Sequence, residues 1–189
     1  MKQNNQNIYF NVELIQKVIL NYNEMYATNR KEIIRQKLAL NNEGKCINVG
    51  LVKKNSIKVE QITGGVLDEG KCTFTVSFKC KILNPKEGDL LITKIVAINK
   101  SGMEGILVDD DVQNMDDTPI IIHINREINV DKEEYNAINE DDIIAVEVIA
   151  TAFELNDLKV FSTCLLRPDV DLSNERTFGD SDDDEEEEN

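Results

Sequence analysis

The sequence predicts a mostly β chain of the α+β class: a strand–helix–antiparallel-sheet head at 1–84, a five-stranded barrel at 85–168 and a disordered acidic tail at 169–189. Three observations predict it. Between Lys71 and Ile82 the residues alternate, with Cys72, Phe74, Val76, Phe78, Cys80 and Ile82 on one side and Lys71, Thr73, Thr75, Ser77, Lys79 and Lys81 on the other. Successive side chains of a strand point to opposite sides, so this strand has one buried face and one wet face. The joint Asn84-Pro85-Lys86-Glu87-Gly88-Asp89 then ends the ladder, because Pro85 has no N–H to donate and Gly88 lets the backbone be re-aimed. Beyond the joint come five apolar runs of strand length, with one helical stretch between the third and fourth.

The elements follow in order. Ile8, Phe10, Val12 and Leu14 alternate and read as an opening strand. The polar stretch from Asn21 to Asn29 leads into a short helix. Asn29 is placed as its N-cap with Glu32 as the reciprocal partner. Ile33, Ile34, Leu38 and Leu40 give the helix an apolar stripe, and Asn41-Asn42-Glu43-Gly44 stops it. Two short strands are placed at Cys46–Val52 and Ile57–Ile62, and Gly64-Gly65 makes a tight bend before the long strand that ends at Leu83. In the second half the strands are Leu90–Asn99, Glu104–Val108, Ile120–Ile124, Ile143–Phe153 and Leu158–Leu166. Glu154-Leu155-Asn156-Asp157 turns the last hairpin, since Asn and Asp favour turns. A helical turn at Lys132–Ile138 precedes the fourth strand. This is the layout of an OB barrel, whose closure removes exposed strand edges. The loop Asp109–Asp117 is longer and more acidic than a plain barrel needs.

The net charge of -15 conceals an asymmetry. Residues 1–84 carry 13 Lys and Arg against 7 Asp and Glu, a balance of +6; residues 85–179 carry 8 against 21, a balance of -13; residues 180–189 add -8. A uniformly basic nucleic-acid binder is not built this way. The end, Asp180-Ser181-Asp182-Asp183-Asp184 and onward, has no apolar residue and repels itself, so it is expected to be disordered. No run reaches the roughly 18 apolar residues of a membrane helix, and Met1-Lys2-Gln3-Asn4-Asn5 lacks the apolar core of a signal peptide. The cysteines, at 46, 72, 80 and 164, form no CxxC pair and read as small buried hydrophobes of a reducing compartment. The chain has one histidine and no GxxxxGK[ST], GxSxG or HExxH motif. The Asp clusters 109–111 and 116–117 lack the glycine and terminal glutamate of an EF-hand. The chain reads as non-catalytic, with no cofactor and no metal.

In order and spacing the pieces resemble one family: the larger stalk subunit of archaeal and eukaryotic DNA-directed RNA polymerases, the seventh subunit of polymerase II. Glu43-Gly44-Lys45-Cys46 is similar to the family's Glu-Gly-x-Cys. Gly65-Val66-Leu67 with Gly70 resembles its Gly-hydrophobic-hydrophobic run ahead of a long strand. Phe74-Thr75-Val76-Ser77-Phe78-Lys79 through Pro85-Lys86-Glu87-Gly88-Asp89 resembles the entry into its second domain. Asn99-Lys100-Ser101-Gly102 fits the first barrel hairpin, and Glu140-Asp141-Asp142-Ile143 through Val148-Ile149-Ala150-Thr151, with Asn156-Asp157, the last. The resemblance covers about residues 8 to 166. It implies a tip domain docking on the largest polymerase subunits and a small core subunit, and an OB domain near the RNA exit channel that contacts nascent RNA. A second stalk subunit usually packs alongside both. It also implies an intracellular setting: the nucleus for a cellular protein, the virion or host cytoplasm for a viral one. Large DNA viruses encode such a subunit, and the richness in Asn, Ile and Lys is that of an AT-rich genome.

On this resemblance Lys53, Lys54 and Lys58 lie where the tip loop meets an acidic groove of the core, and Gly64 and Gly65 where the backbone approaches it. The candidate RNA contacts are Lys94, Lys100, Met103, His123, Arg126 and Lys159, the basic ones because phosphates need only a cation within reach. His123 is expected to face outward. Barrels of this type present an aromatic just after the first hairpin glycine; here those positions hold Met103 and Glu104. A base stacked on an aromatic contributes roughly 1–3 kcal/mol, so RNA binding is expected to be weak. Two rival readings use the same residues. One is a translation or RNA-chaperone factor built on the barrel; the other is an interaction protein whose acidic tail binds basic partners.

Overall fold

A computed structural model describes residues 8–108, 118–129 and 133–170. The loop Asp109–Asp117 and residues 171–189 of the acidic tail lie outside the described residues. The chain opens with β1 (Tyr9–Asn21), α1 (Tyr22–Met25) and α2 (Arg30–Asn42). It continues through β2 (Cys46–Ile47), β3 (Gly50–Val52), β4 (Lys58–Ile62), β5 (Val66–Asp68) and β6 (Lys71–Leu83). β6 is the spine of this sheet. β1 pairs with its full length, from Asn21↔Lys71 to Tyr9↔Leu83, and the opposite edge of β6 takes β5, β4 and β3 in succession. The alternation read from the sequence is present: Cys72, Phe74, Val76, Phe78, Cys80 and Ile82 are buried, and the residues between them are partly or fully exposed. Val18 and Leu20 of β1 share the buried face, and α2 covers it with Ile34 and Leu38.

The structure changes several details of this half. Leu40 is 76% exposed and lies outside the apolar stripe. The buried row is Ile34, Leu38 and Asn42, an i, i+4, i+8 ridge that keeps one side of the helix on the sheet. Asn42 belongs to it because its amide donates to Leu38 O at 2.8 Å and to Gln16 Oε1 at 2.9 Å. Asn29 makes no side-chain cap, and Glu32 is drawn to Arg35 and Gln36 instead. The reciprocal cap sits on α1, where Asn21 N–H donates to Glu24 Oε2 at 2.8 Å. The stretch Cys46–Val52 is a hairpin of two strands. Gly50 makes it possible: its φ is +134°, and a Cβ there would stand 2.5 Å from Leu83 O. The tight bend before β6 is formed by Glu69 and Gly70, at φ +45° and +77°, not by Gly64-Gly65. Gly64 stands in open space; Gly65 lies so close to Cys72 Sγ and the Phe74 ring that no side chain fits.

The second half contains β7 (Leu90–Ile98), β8 (Gly102–Leu107), β9 (Ile120–Asn125) and α3 (Arg126–Asn129). A 3-10 helix (Glu133–Ala137), β10 (Ile143–Ala152) and β11 (Val160–Leu166) follow. The five strands close into a barrel in the order β10-β11-β9-β8-β7, and β7 returns to β10. β9 and β11 run parallel and every other pair is antiparallel. That order, with helical segments between the third and fourth strands, is an OB-like barrel. Ile95, Met103, Ile122, Ile124, Val148 and Cys164 fill its interior with others of the same cluster. Tyr135 plugs one end, its hydroxyl donating to Ile124 O at 3.3 Å. Asn129 is buried beside it; its Nδ2 donates to Asn125 O at 2.8 Å and its Oδ1 accepts Leu166 N–H at 2.9 Å.

Head and barrel meet at two places. At the joint, Gly88 has φ +88°, its N–H donates to Val148 O at 2.9 Å, and Val148 N–H donates to Asp89 O at 2.8 Å. At the second place the β2–β3 hairpin grips the turn between β10 and β11. Cys46 N–H donates to Asp157 O at 2.7 Å, and Asn156 N–H donates back to Cys46 O at 2.8 Å. Cys46, Leu51 and Leu83 of the head belong to the buried cluster that fills the barrel.

Candidate functional site

Two surfaces carry the residues that the sequence singled out. The first is the wet face of the head sheet. Lys58 of β4 stands directly opposite Lys79 of β6, and Lys81 follows two residues on, on the same face. The loop after β3 is fastened beside them: Lys53 N–H donates to Lys81 O at 2.8 Å and Lys81 N–H donates to Ser56 Oγ at 3.2 Å. The Lys53 ammonium lies 4.6 Å from the centre of the Tyr9 ring. Tyr9 is opposite Leu83 at the barrel end of β6. Lys54 is exposed at the same loop. Lys79 is the only one of these five with a carboxylate in ion-pair reach among the described residues, Glu60 at 3.6 Å. Glu13, across from Lys79, accepts from Ser77 Oγ at 2.7 Å.

The structure therefore brings Lys53 and Lys58 together and adds Lys79 and Lys81, which the sequence presented only as the polar side of a strand; Lys54, next along the loop, runs its stem against Gly44 beyond the end of α2. It does not bring Gly64 and Gly65 to them. Gly65 touches Cys72 and Phe74, and Phe74 lies about 16 Å along β6 from Lys79 at the rise of a strand. That far end carries exposed apolar side chains. Ile19 and Val66 flank Thr73 on the wet face, Leu67 is exposed beside them, and Tyr22 of α1 and Tyr26 just past its end meet with tilted rings, their centres 5.1 Å apart.

The second surface is the outer wall of the barrel. His123 faces outward, as expected, between Glu104 of β8 and Thr163 of β11. Lys100 is exposed in the β7–β8 turn, where Asn99 Oδ1 accepts from Ser101 N and Gly102 N. Arg126 joins that turn, its N–H donating to Ser101 O at 3.0 Å, and its guanidinium lies 5.8 Å from the Tyr135 ring. Lys100, Arg126 and His123 thus share one end of the wall. Met103 does not: it is 2% exposed, inside the barrel, so the hairpin position expected to touch RNA is a core position. Lys94 is held by Asp141 at 2.9 Å. Lys159 precedes Val160, which is opposite Ile120 at the other end of β9, about 16 Å from Asn125. The sequence reading missed Phe161. It is 51% exposed on β11, opposite Ile121 and two residues from Thr163, and is the exposed aromatic of this wall. The signal was available, since Phe161 falls on the outward phase of a strand whose inward phase is Val160, Ser162 and Cys164.

Three of the thiols are poor nucleophiles. Burial, with Asp157 nearby, pushes Cys46 up to about 11; burial, with Glu43 nearby, does the same to Cys80; burial alone takes Cys164 to about 12. All four cysteines are buried and unbonded to one another. No protein-family model matches the chain, and no curated protein matches its sequence.

Proposed function

We propose that the chain is a non-catalytic stalk subunit of a multisubunit DNA-directed RNA polymerase. The observation that carries the reading is the sequence of parts: a lysine-bearing sheet-and-helix head whose spine strand β6 leads through the Lys86–Asp89 turn into an OB-like barrel. The head is the docking part. Its exposed apolar end, Ile19, Tyr22, Tyr26, Val66 and Leu67, supplies area to bury, and Lys53, Lys54, Lys58, Lys79 and Lys81 supply the charge for an acidic surface of the core subunits. The barrel is the transcript part. Lys100 and Arg126 reach phosphates without reading sequence, and Phe161, beside the His123 row, offers a stacking surface. The acidic balance of the barrel keeps that contact weak.

The test is capture from the source cell with a tagged full chain. The two largest polymerase subunits come down with it, and charge reversal at Lys53 and Lys58 lowers their yield without lowering the melting temperature. Ribosomal proteins in their place would assign the chain to translation. Within the captured complex, photocrosslinking to nascent transcript falls several-fold for Phe161→Ala and Lys100→Glu; equal crosslinking by both variants and the native chain would move the transcript to another surface.

A further inference from the structure

The lysine face of the head holds more positive charge than its surroundings neutralise. Lys58 and Lys79 stand directly opposite each other, an arrangement that like charges disfavour. Among the described residues only Glu60 comes within ion-pair distance of the group, and it takes Lys79. Lys58 and Lys81 are exposed, Lys53 is half-buried over the Tyr9 ring, and none of the three has a carboxylate within ion-pair distance among the described residues. Other cations are differently placed. Arg35 is held by Glu32, Lys37 by Glu24, Lys94 by Asp141, and Arg167 by Glu147 and Asp169. Arg126 is followed by Glu127, and Glu104 stands opposite His123 at the same end of the wall. A dense anion therefore gains most at the head face.

The chain carries one such anion. Residues 180–189 hold eight carboxylates and no cation. Its point of departure is favourable. Leu166 lies across from Val146, and Val146 across from Leu91. Leu91 is the second residue of β7, a short linker away from Leu83 at the end of β6. The chain is tied down there by Arg167, whose N–H donates to Ala145 O at 3.0 Å and whose guanidinium holds Glu147 and Asp169. Residues 171–189, fully extended, span about 60 Å, against about 40 Å for the whole of β6. The barrel, with its acidic balance, repels a polyanion, and the head attracts it.

We propose that the acidic segment 180–189 occupies the lysine face of its own head, over Lys53, Lys58, Lys79 and Lys81, with Lys54 of the same loop at its rim. The contact is intrachain, so its effective concentration is set by the connecting residues and not by the protein in solution. It is electrostatic and salt-sensitive. Under the stalk reading the segment and the polymerase core compete for one surface, and that consequence rests on the reading; the occupancy itself does not.

Zero-length carbodiimide crosslinking of the purified full chain, read by mass spectrometry, tests it. At low salt the tail carboxylates crosslink within the chain to Lys53, Lys54, Lys58, Lys79 or Lys81. The yield falls about fivefold or more at 0.5 M salt, where screening shortens to a few ångströms. In the double variant Lys58→Glu, Lys81→Glu the crosslinks to Lys53 and Lys54 fall as well. Crosslinks spread over Lys31, Lys86, Lys100 and Lys159, or crosslinks between chains that grow with concentration, would overturn the proposal. Because no polymerase is present, failure here is distinct from failure to capture the core subunits.

Discussion

Thr93 shows how a single side chain can sit against the rules of its strand. It is fully buried in the barrel, on the inward phase of β7 between Leu91 and Ile95, and its hydroxyl finds no hydrogen-bond partner among the described residues. A buried hydroxyl without a partner costs about 1–3 kcal/mol. Its methyl does useful packing: it stands so close to Gly105 that a Cβ there would collide with it. Valine keeps the methyl and the branching and removes the orphaned oxygen. Thr93→Val is therefore expected to raise stability by about 1 kcal/mol, seen as a higher urea midpoint at an unchanged slope, whereas Thr93→Ala, which also removes the methyl, lowers it. A lower midpoint for valine would mean that the hydroxyl has a partner. The same scale explains why Met103 misled the sequence reading. One residue after the hairpin glycine looks like the rim of a barrel, but Gly102 sits with Ile124 O where its Cβ would be, and that close approach sends Met103 inward.

At the scale of elements, the turn between β10 and β11 has become a strut. Asn156 and Asp157 exchange backbone hydrogen bonds with Cys46 of the head. Asn156 presents its N–H to Cys46 from φ +71°, a conformation that Asn and Gly tolerate and β-branched residues do not. Asn156→Val is expected to cost about 1–2 kcal/mol, which in a chain of this length lowers the melting temperature by roughly 3–6 °C. Asn156→Gly should stay within about 0.5 kcal/mol. Equal losses for both would show that the Asn side chain, not the backbone, carries the strut. What the sequence revealed of the elements follows the same physics. β6 was legible because its faces differ in chemistry along nearly its whole length. β5 was not, since all three of its residues are exposed and no alternation marks it. The helix cap was misplaced because Asn21 and Asn29 each precede a glutamate by three residues. Only the fold decides that Lys37 steadies Glu24 while Arg35 draws Glu32 away. The joining of Lys58 to Lys79 was hidden for a related reason: the register of β4 shifts between Val59 and Gln61, and a bulge leaves little trace in composition.

For the whole molecule the question is whether head and barrel are two bodies on a hinge. The proline-glycine joint reads as a hinge in the sequence, but the packing argues against one. Leu51 and Leu83 of the head are buried in the cluster that fills the barrel, with Cys46 beside them and Ile8 and Tyr9 packed against it. The joint and the strut are both hydrogen-bonded, so rotation about either one would break the other and expose those apolar side chains to water. Two halves of a chain that share a core in this way should lose it together. Calorimetry of the full chain is therefore expected to give one unfolding transition, with the calorimetric and van't Hoff enthalpies equal. Leu51→Ala deletes a side chain from the shared cluster while leaving both sheets paired. It should cost about 2–5 kcal/mol and begin to split the transition, the barrel melting after the head or before it. Two separate transitions in the native chain would restore the hinge. The stalk reading would then need a flexible connector where the structure offers a rigid arm.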